Sequence, residues 1–249
     1  MEIIHTNGVK KYILTNETLN YRGTLLHRIR AVVSFGDVSE GELGGWVKSE
    51  NNLSHDGLCW IYGNAKVYDN AIIFCDAKVY DNAEVFDFAK VCENAEISGD
   101  AMVYDKAGIC GEAKVIDRAR VSGRSLVYGK ALVYGKAWVC DDAEVSDNAR
   151  IYGTSQVYGE ANVSDNARVF DNARVSGNAC VYGNAQIYGN ANVYEKAWVN
   201  GSAMVFADAK VYGKAHITNN AKIHGMSRIY GEAVINGNRE VSGDTIFNR

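Results

Sequence analysis

A six-residue period runs through most of this sequence. Val or Ile stands at position 61 and at every sixth position up to Val241, and Phe247 takes the next slot, which makes 32 consecutive hexads without an insertion. A small residue, in most cases Ala, follows four positions after each aliphatic one. A period of six matches no helical face, and β-branched residues together with frequent glycine disfavour helix. The pattern therefore predicts a series of short strands.

Each hexad has a strand part and a corner part. In the consensus Val-Tyr-Gly-Asn-Ala-x, the segment Ala-x-Val-Tyr alternates, so Ala and Val share one face while x and Tyr share the other. The Gly, Asp and Asn residues that follow tolerate the positive φ that a sharp corner needs. The absence of proline suits strands that pair on both sides. Strands this short must stack coil upon coil, as they do in a parallel β-helix.

The spacing of the aliphatic and small residues resembles that of the hexapeptide-repeat superfamily. This resemblance implies an all-β fold: a single-stranded, left-handed, triangular parallel β-helix of about 10 coils of 18 residues. Gly44-Gly45-Trp46-Val47 and Cys59-Trp60-Ile61 are similar to the start of the YdcK-type bacterial and phage repeat proteins. That closer resemblance implies the same fold and no particular activity.

The N-terminal segment does not repeat. Residues 1–59 are expected to form a small β-rich cap, and residues 60–249 the β-helix domain. Segments 11–15 and 24–33 have the composition of strands, and Tyr21-Arg22-Gly23 between them predicts a turn. The end of a solenoid exposes apolar core and unpaired backbone groups, so the predicted role of the cap is to cover the first coil.

Charge and cysteine usage narrow the function classes. A formal net charge of −4 and a pI near 5.8 argue against nucleic acid or an anionic membrane as the partner. The sequence has no run of eighteen apolar residues and begins without a secretory signal pattern. Its six cysteines form no CxxC pair, which favours free thiols in a reducing compartment. We therefore expect a cytoplasmic protein without a membrane span.

A catalytic function is the weaker expectation. Many acyltransferases have similar coils, and their activity usually depends on a histidine, an inserted loop and a trimer. The repeats contain only His216 and His224, both at outward positions, and no loop interrupts residues 61–247. The cysteine and histidine spacings match no zinc motif, and no glycine-rich phosphate loop precedes a helix. We therefore predict no catalytic residue, no metal site and no cofactor.

Two further residue patterns leave alternatives open. Cys92 and Cys110 are three hexads apart and should stack on neighbouring coils, either as a redox pair or metal half-site, or as two thiols of an outward ladder. Asp69, Asp87 and Asp105 recur at one corner. They could form a catalytic dyad, but the tolerance of Asp for left-handed backbone explains them better.

A coil of three hexads sorts the outward residues into columns, and one column is rich in aromatic residues. It contains five in succession: Tyr134, Tyr152, Phe170, Tyr188 and Phe206. The neighbouring column on the same face carries Arg150 and Arg168. Aromatic and arginine side chains are typical of protein interfaces, so these seven are the candidate binding residues. Two alternatives remain: a ladder that only stabilises the sheet, or a surface that stacks sugars or bases.

The function expected from the sequence is that of a non-catalytic scaffold or binding protein. It would self-associate, as a homodimer, or bind another protein through the flat aromatic face. The first alternative is an acyltransferase of the hexapeptide type. The second is a phage-encoded inhibitor that binds a host defence protein.

Overall fold

A computed structural model describes residues 10–248 and shows an all-β chain. Helical structure in this part is limited to one 3-10 turn at Glu50–Asn52. Three longer strands come first: β1 (Tyr12–Tyr21), β2 (Thr24–Ala31) and β3 (Leu43–Val47). None of the helices among residues 10–248 is long and apolar enough to cross a membrane.

From residue 60 the chain forms a strand of two or three residues in every hexad, and these strands lie on three sides in rotation. Side 1 is an eleven-stranded sheet. Its strands are β4 (Trp60–Ile61), β7 (Lys78–Val79), β10 (Glu96–Ile97), β13 (Lys114–Val115), β16 (Leu132–Val133), β19 (Arg150–Ile151), β22 (Arg168–Val169), β25 (Gln186–Ile187), β28 (Met204–Val205), β31 (Lys222–Ile223) and β34 (Glu240–Val241).

Side 2 is a fourteen-stranded sheet that also contains the three N-terminal strands. Its other strands are β5 (Lys66–Val67), β8 (Glu84–Val85), β11 (Met102–Val103), β14 (Arg120–Val121), β17 (Trp138–Val139), β20 (Gln156–Val157), β23 (Arg174–Val175), β26 (Asn192–Val193), β29 (Lys210–Val211), β32 (Arg228–Tyr230) and β35 (Ile246–Asn248).

Side 3 is a ten-stranded sheet. It consists of β6 (Ile72–Ile73), β9 (Lys90–Val91), β12 (Gly108–Ile109), β15 (Leu126–Val127), β18 (Glu144–Val145), β21 (Asn162–Val163), β24 (Cys180–Val181), β27 (Trp198–Val199), β30 (His216–Ile217) and β33 (Val234–Ile235).

The strands of each side pair in parallel at a register of three hexads. Ile151 lies beside Val133 on one side and Val169 on the other, and the same step repeats along the tube. Eleven strands on side 1 correspond to eleven stacked coils, close to the expected ten. The predicted all-β solenoid with three hexads in each coil is thus confirmed, whereas its left-handedness stays a prediction.

The core of the tube consists of the two inward columns predicted from the repeat. Apart from the last coil, the aliphatic residues and the alanines of the small slot are fully buried. Three serines also occupy the small slot, and their hydroxyls donate to the carbonyl oxygen three residues earlier, as Ser155 does to Tyr152 at 2.8 Å. A polar group in this slot is therefore satisfied by the corner backbone.

Coil stacking begins before the expected boundary at residue 59. Val47 pairs in parallel with Val67, and Leu53 forms a bridge with Ile73, so both sit in an earlier coil. The partners in these two pairs are further apart in the sequence than those of later coils, because the chain has two extra residues between Leu53 and Ile61. Since β3 hydrogen-bonds both to the hairpin and to the solenoid, one sheet runs through both parts, and the division into two domains stays a prediction.

The hairpin of β1 and β2 covers the start of the tube in two ways. It extends the sheet of side 2, and its Tyr12 packs with Phe35 against the fully buried Trp60. Tyr12 also donates a hydrogen bond of 2.7 Å to the carbonyl oxygen of Leu53. Apolar rings and backbone acceptors that a bare first coil would expose are thereby covered.

Candidate interaction face

The aromatic column predicted on side 1 forms one continuous stack. The ring centroids of successive members lie 4.7–4.9 Å apart, and their planes differ by at most 12°. The stack has six rings because His224 adds to the five predicted aromatics: Tyr134, Tyr152, Phe170, Tyr188, Phe206 and His224. We call this set the aromatic stack.

The geometry of the stack decides what it can contact. Each inner ring, such as Phe170, has a parallel ring on both faces, so only ring edges point to the outside. A sugar or a nucleobase needs an open ring face, which the four inner rings do not offer. Burial raises the pKa of Tyr152 and Tyr188, so their hydroxyls remain protonated at neutral pH. The stack therefore presents apolar edges and phenol hydroxyls, which suits a protein surface better than a stacking ligand.

Arg150 and Arg168 flank the stack on the same side. They occupy equivalent positions on the paired strands β19 and β22, and both side chains are exposed. Neither forms a salt bridge with another residue of the 10–248 range. Like charges placed directly opposite one another destabilise a sheet. The two guanidinium groups thus carry an uncompensated positive charge next to the stack.

Some other basic side chains of the solenoid are neutralised, although Lys210 and Arg228 form a second like-charge pair on side 2. Five basic side chains pair with a carboxylate one coil away, at 2.6–3.6 Å: Lys114 with Glu96, Arg118 with Asp100, Arg124 with Asp142, Lys130 with Glu112 and Lys214 with Glu232. Residues at equivalent positions of neighbouring coils therefore lie close enough for a carboxylate to neutralise a basic side chain. Arg150 and Arg168 are not neutralised in this way, because each has the other as its neighbour on one side.

The remaining candidates from the sequence have structural explanations. Burial raises the pKa of Cys92 to about 12 and also raises that of Cys110, so both remain thiols rather than reactive thiolates. Asp87 and Asp105 have left-handed backbone with φ of 57°. Their carboxylates accept hydrogen bonds from the backbone N–H one coil further on, at 3.2 and 3.0 Å. The interpretation of these aspartates as corner residues is confirmed, and their side chains link successive coils by hydrogen bonds.

The two histidines of the repeats point outward, as expected. His216 stacks on Trp198 on side 3 with ring centroids 4.7 Å apart. His224 ends the aromatic stack, and its Nε2 lies 2.7 Å from Oε1 of Glu240. We expected His224 at an outward position but did not include it in the stack. Its spacing of three hexads from Phe206 is the sequence signal that extends the stack to a sixth ring.

These features define a three-sided β-solenoid with a capped first coil, whose side 1 carries a stack of six aromatic rings beside two arginines. Residues 185–201 match the family model described as the YdcK β-solenoid repeat. The chain is also 35% identical over 74 residues to the "Uncharacterized acetyltransferase YdcK" of Escherichia coli strain K12. That match covers 26% of this chain and 23% of the relative. The match of residues 185–201 supports the resemblance of the repeats to the YdcK-type proteins.

Proposed function

We propose that this chain is a non-catalytic binding protein that contacts another protein through the aromatic stack and its two arginines. The single observation that carries the proposal is the exposed Arg150–Arg168 pair beside the stack, a like-charge arrangement that the fold itself does not require. Such a pair becomes favourable when an acidic partner neutralises it. Aromatic edges beside it supply the apolar contact that gives an interface its affinity.

The partner is either a second copy of this chain or a different protein. A symmetric dimer through side 1 about an axis near the arginines would bring these groups close to their equivalents. Charge repulsion of that kind favours a different, acidic protein as the partner. A homodimer would need an offset that places the arginines against carboxylates of the second copy. The six free cysteines support the proposal that this contact is made in the cytoplasm.

Photo-crosslinking from the face tests the proposal directly. A photoreactive amino acid replaces Leu132, the neighbour of Arg150 on side 1, and a matched variant carries it in place of Leu126 on side 3. We expect a cross-linked product in cells from position 132 and none from position 126. Mass spectrometry of the product then shows whether the partner is a second copy or another protein. Equal products from both positions, or none from position 132, would contradict the proposal.

A homodimer predicts a further result that a different partner does not. Light scattering of the purified protein would give a dimer mass, and the variant Tyr152→Arg with Phe170→Arg would give a monomer mass. A wild-type monomer would leave a different protein as the partner. Identification of that partner as a host defence protein would support the alternative of a phage-encoded inhibitor.

Acyl transfer is a second candidate because one observation favours it. The imidazole of His224 lies 2.7 Å from a carboxylate oxygen of Glu240, which is the kind of pair that can act as a general base. The relative in Escherichia coli carries acetyltransferase in its name. Release of free coenzyme A from acetyl-CoA in the presence of amine or hydroxyl acceptors, lost in His224→Asn, would support this candidate. No release with any acceptor would count against it.

A further inference from the structure

Lys11 and Cys59 form a buried pair at the junction of the cap and the tube. Lys11 precedes β1, and Cys59 lies in the coil that β3 opens. The lysine is 1% exposed and the cysteine is fully buried. The Nζ atom of Lys11 lies 3.2 Å from Sγ of Cys59. A lysine amine and a thiol are rarely both excluded from solvent at contact distance.

The surroundings hold the amine against the sulfur. Nζ also donates to the carbonyl oxygens of Cys59 at 2.9 Å and Gly57 at 3.2 Å, which fixes its position. Within residues 10–248 no carboxylate forms a salt bridge with Lys11. Burial lowers the pKa of Lys11, which increases the fraction of neutral amine, and raises the pKa of Cys59, which keeps the sulfur a thiol. A neutral amine keeps the lone pair that bond formation at nitrogen requires.

We propose that Lys11 and Cys59 are the site of an oxidative covalent cross-link in which one oxygen atom joins Nζ to Sγ. The oxidant is dioxygen, a small apolar molecule that can enter a protein interior. The thiol, the amine and dioxygen give an S–O–N bridge and one molecule of water. Sulfur and nitrogen each give up an electron pair, and the two oxygen atoms are reduced, one in the bridge and one in the water. The S–H bond and one N–H bond break, and their protons leave in the water.

The geometry favours a bridging oxygen over a direct sulfur–nitrogen bond. The contact of 3.2 Å would have to shorten greatly for a direct bond, while the flanking carbonyl contacts hold Nζ in place. An intervening atom spans the gap with little movement in a packed interior. The cross-link would tie the start of β1 to a residue 48 positions along the chain. It would therefore fasten the cap hairpin to the first coils under oxidising conditions.

Mass spectrometry of the full chain tests this inference. Protein purified in air, compared with protein kept anaerobic with reductant, should gain one oxygen atom and lose two hydrogen atoms. Tryptic digestion should place the change on a linked pair of peptides that contain Lys11 and Cys59. Excess dithiothreitol should restore the unlinked masses and lower the temperature at which the cap unfolds.

Variants separate this pair from other oxidation sites. Cys59→Ser and Lys11→Arg should each abolish the mass change, whereas Cys75→Ser, which removes an exposed thiol, should leave it intact. Peptide mapping of the wild-type protein requires no variant, so it tests the inference even if one of the variants fails to fold. Unlinked peptides in the air-exposed protein would overturn the inference. A linked pair that has lost two hydrogens without gaining oxygen would also overturn it.

Discussion

Replacing Glu84 by Gln should loosen the N-terminal hairpin from side 2. Glu84 lies on β8 and is 8% exposed. One carboxylate oxygen accepts a hydrogen bond of 2.7 Å from the hydroxyl of Tyr21, and the other accepts one of 3.0 Å from Tyr68. Arg22, at the hairpin turn, lies 3.3 Å from the second oxygen. Glu84 is therefore the point where the hairpin is attached to the solenoid.

The size of the effect follows from these contacts. Gln keeps one acceptor oxygen and loses the other, so one hydrogen bond to a charged group is lost, which costs about 1.5 kcal/mol. The ion pair with the half-exposed Arg22 adds no more than about 0.5 kcal/mol. We expect opening of the hairpin to become easier by about 2 kcal/mol, which is about a 30-fold faster hydrogen exchange of the β1 amides.

Glu96→Gln provides the matched control. Glu96 occupies the same position of its hexad on side 1, where it forms an exposed salt bridge of 2.7 Å with Lys114. Exposed pairs contribute about 0.2–1 kcal/mol, and this one lies in a different sheet from the hairpin. Its removal should leave exchange of β1 unchanged. Equal exchange of the β1 amides in both variants would refute the reasoning, because it would mean that Glu84 does not attach the hairpin.

Three other predictions concern the cap, the corners and the core. Hydrogen bonds from Lys78 to the Asp37 carboxylate lower the pKa of Asp37 below its ordinary 3.8, so its contribution to stability is present above about pH 4 and is lost as the pH falls further. The free energy of unfolding of Asp37→Asn, measured in urea at each pH, should therefore change less in this range than that of the wild type. Gly153→Ala should lower the free energy of unfolding in urea by about 2–4 kcal/mol, because φ is +72° and the new Cβ would lie 2.8 Å from the backbone of the next coil. Gly237→Ala has open space around the new Cβ, so it should cost only about 1 kcal/mol. Ile187→Ala should cost about 2–5 kcal/mol in the same assay, because its side chain is fully buried in the middle of the tube.

The sequence predicted the solenoid well because its inward positions obey one rule. Every coil buries the same two columns, so a period of six and the alternation within each hexad determine which side chains point inward. The outward columns then follow once three hexads make a coil, and the stack from Tyr134 to Phe206 was predicted in this way. The coil length itself came from the resemblance, because the period alone does not say how many hexads close a turn.

The cap could not be predicted to the same depth because it has no period. The sequence predicted a turn near Arg22, but nothing in it indicated that Glu84, far along the chain, would bind that turn. The contact of Lys11 with Cys59 is equally long-range, and neither residue stands in a recognisable motif. Contacts of this kind depend on tertiary packing between segments that share no pattern.

A pair of deletions tests most directly whether the face on side 1, rather than the solenoid as such, binds the partner. Removing residues 172–189 deletes one full coil, keeps Arg150 and Arg168, and brings Phe206 into line with Phe170, whereas removing residues 154–159 deletes one hexad and turns Arg168 and all later columns by one side. Both variants preserve the inward pattern, so both should fold. We predict that photo-crosslinking from position 132 survives the coil deletion and is lost in the hexad deletion. Equal cross-linking in the two variants would contradict the claim that the aromatic stack and its arginines form the binding face.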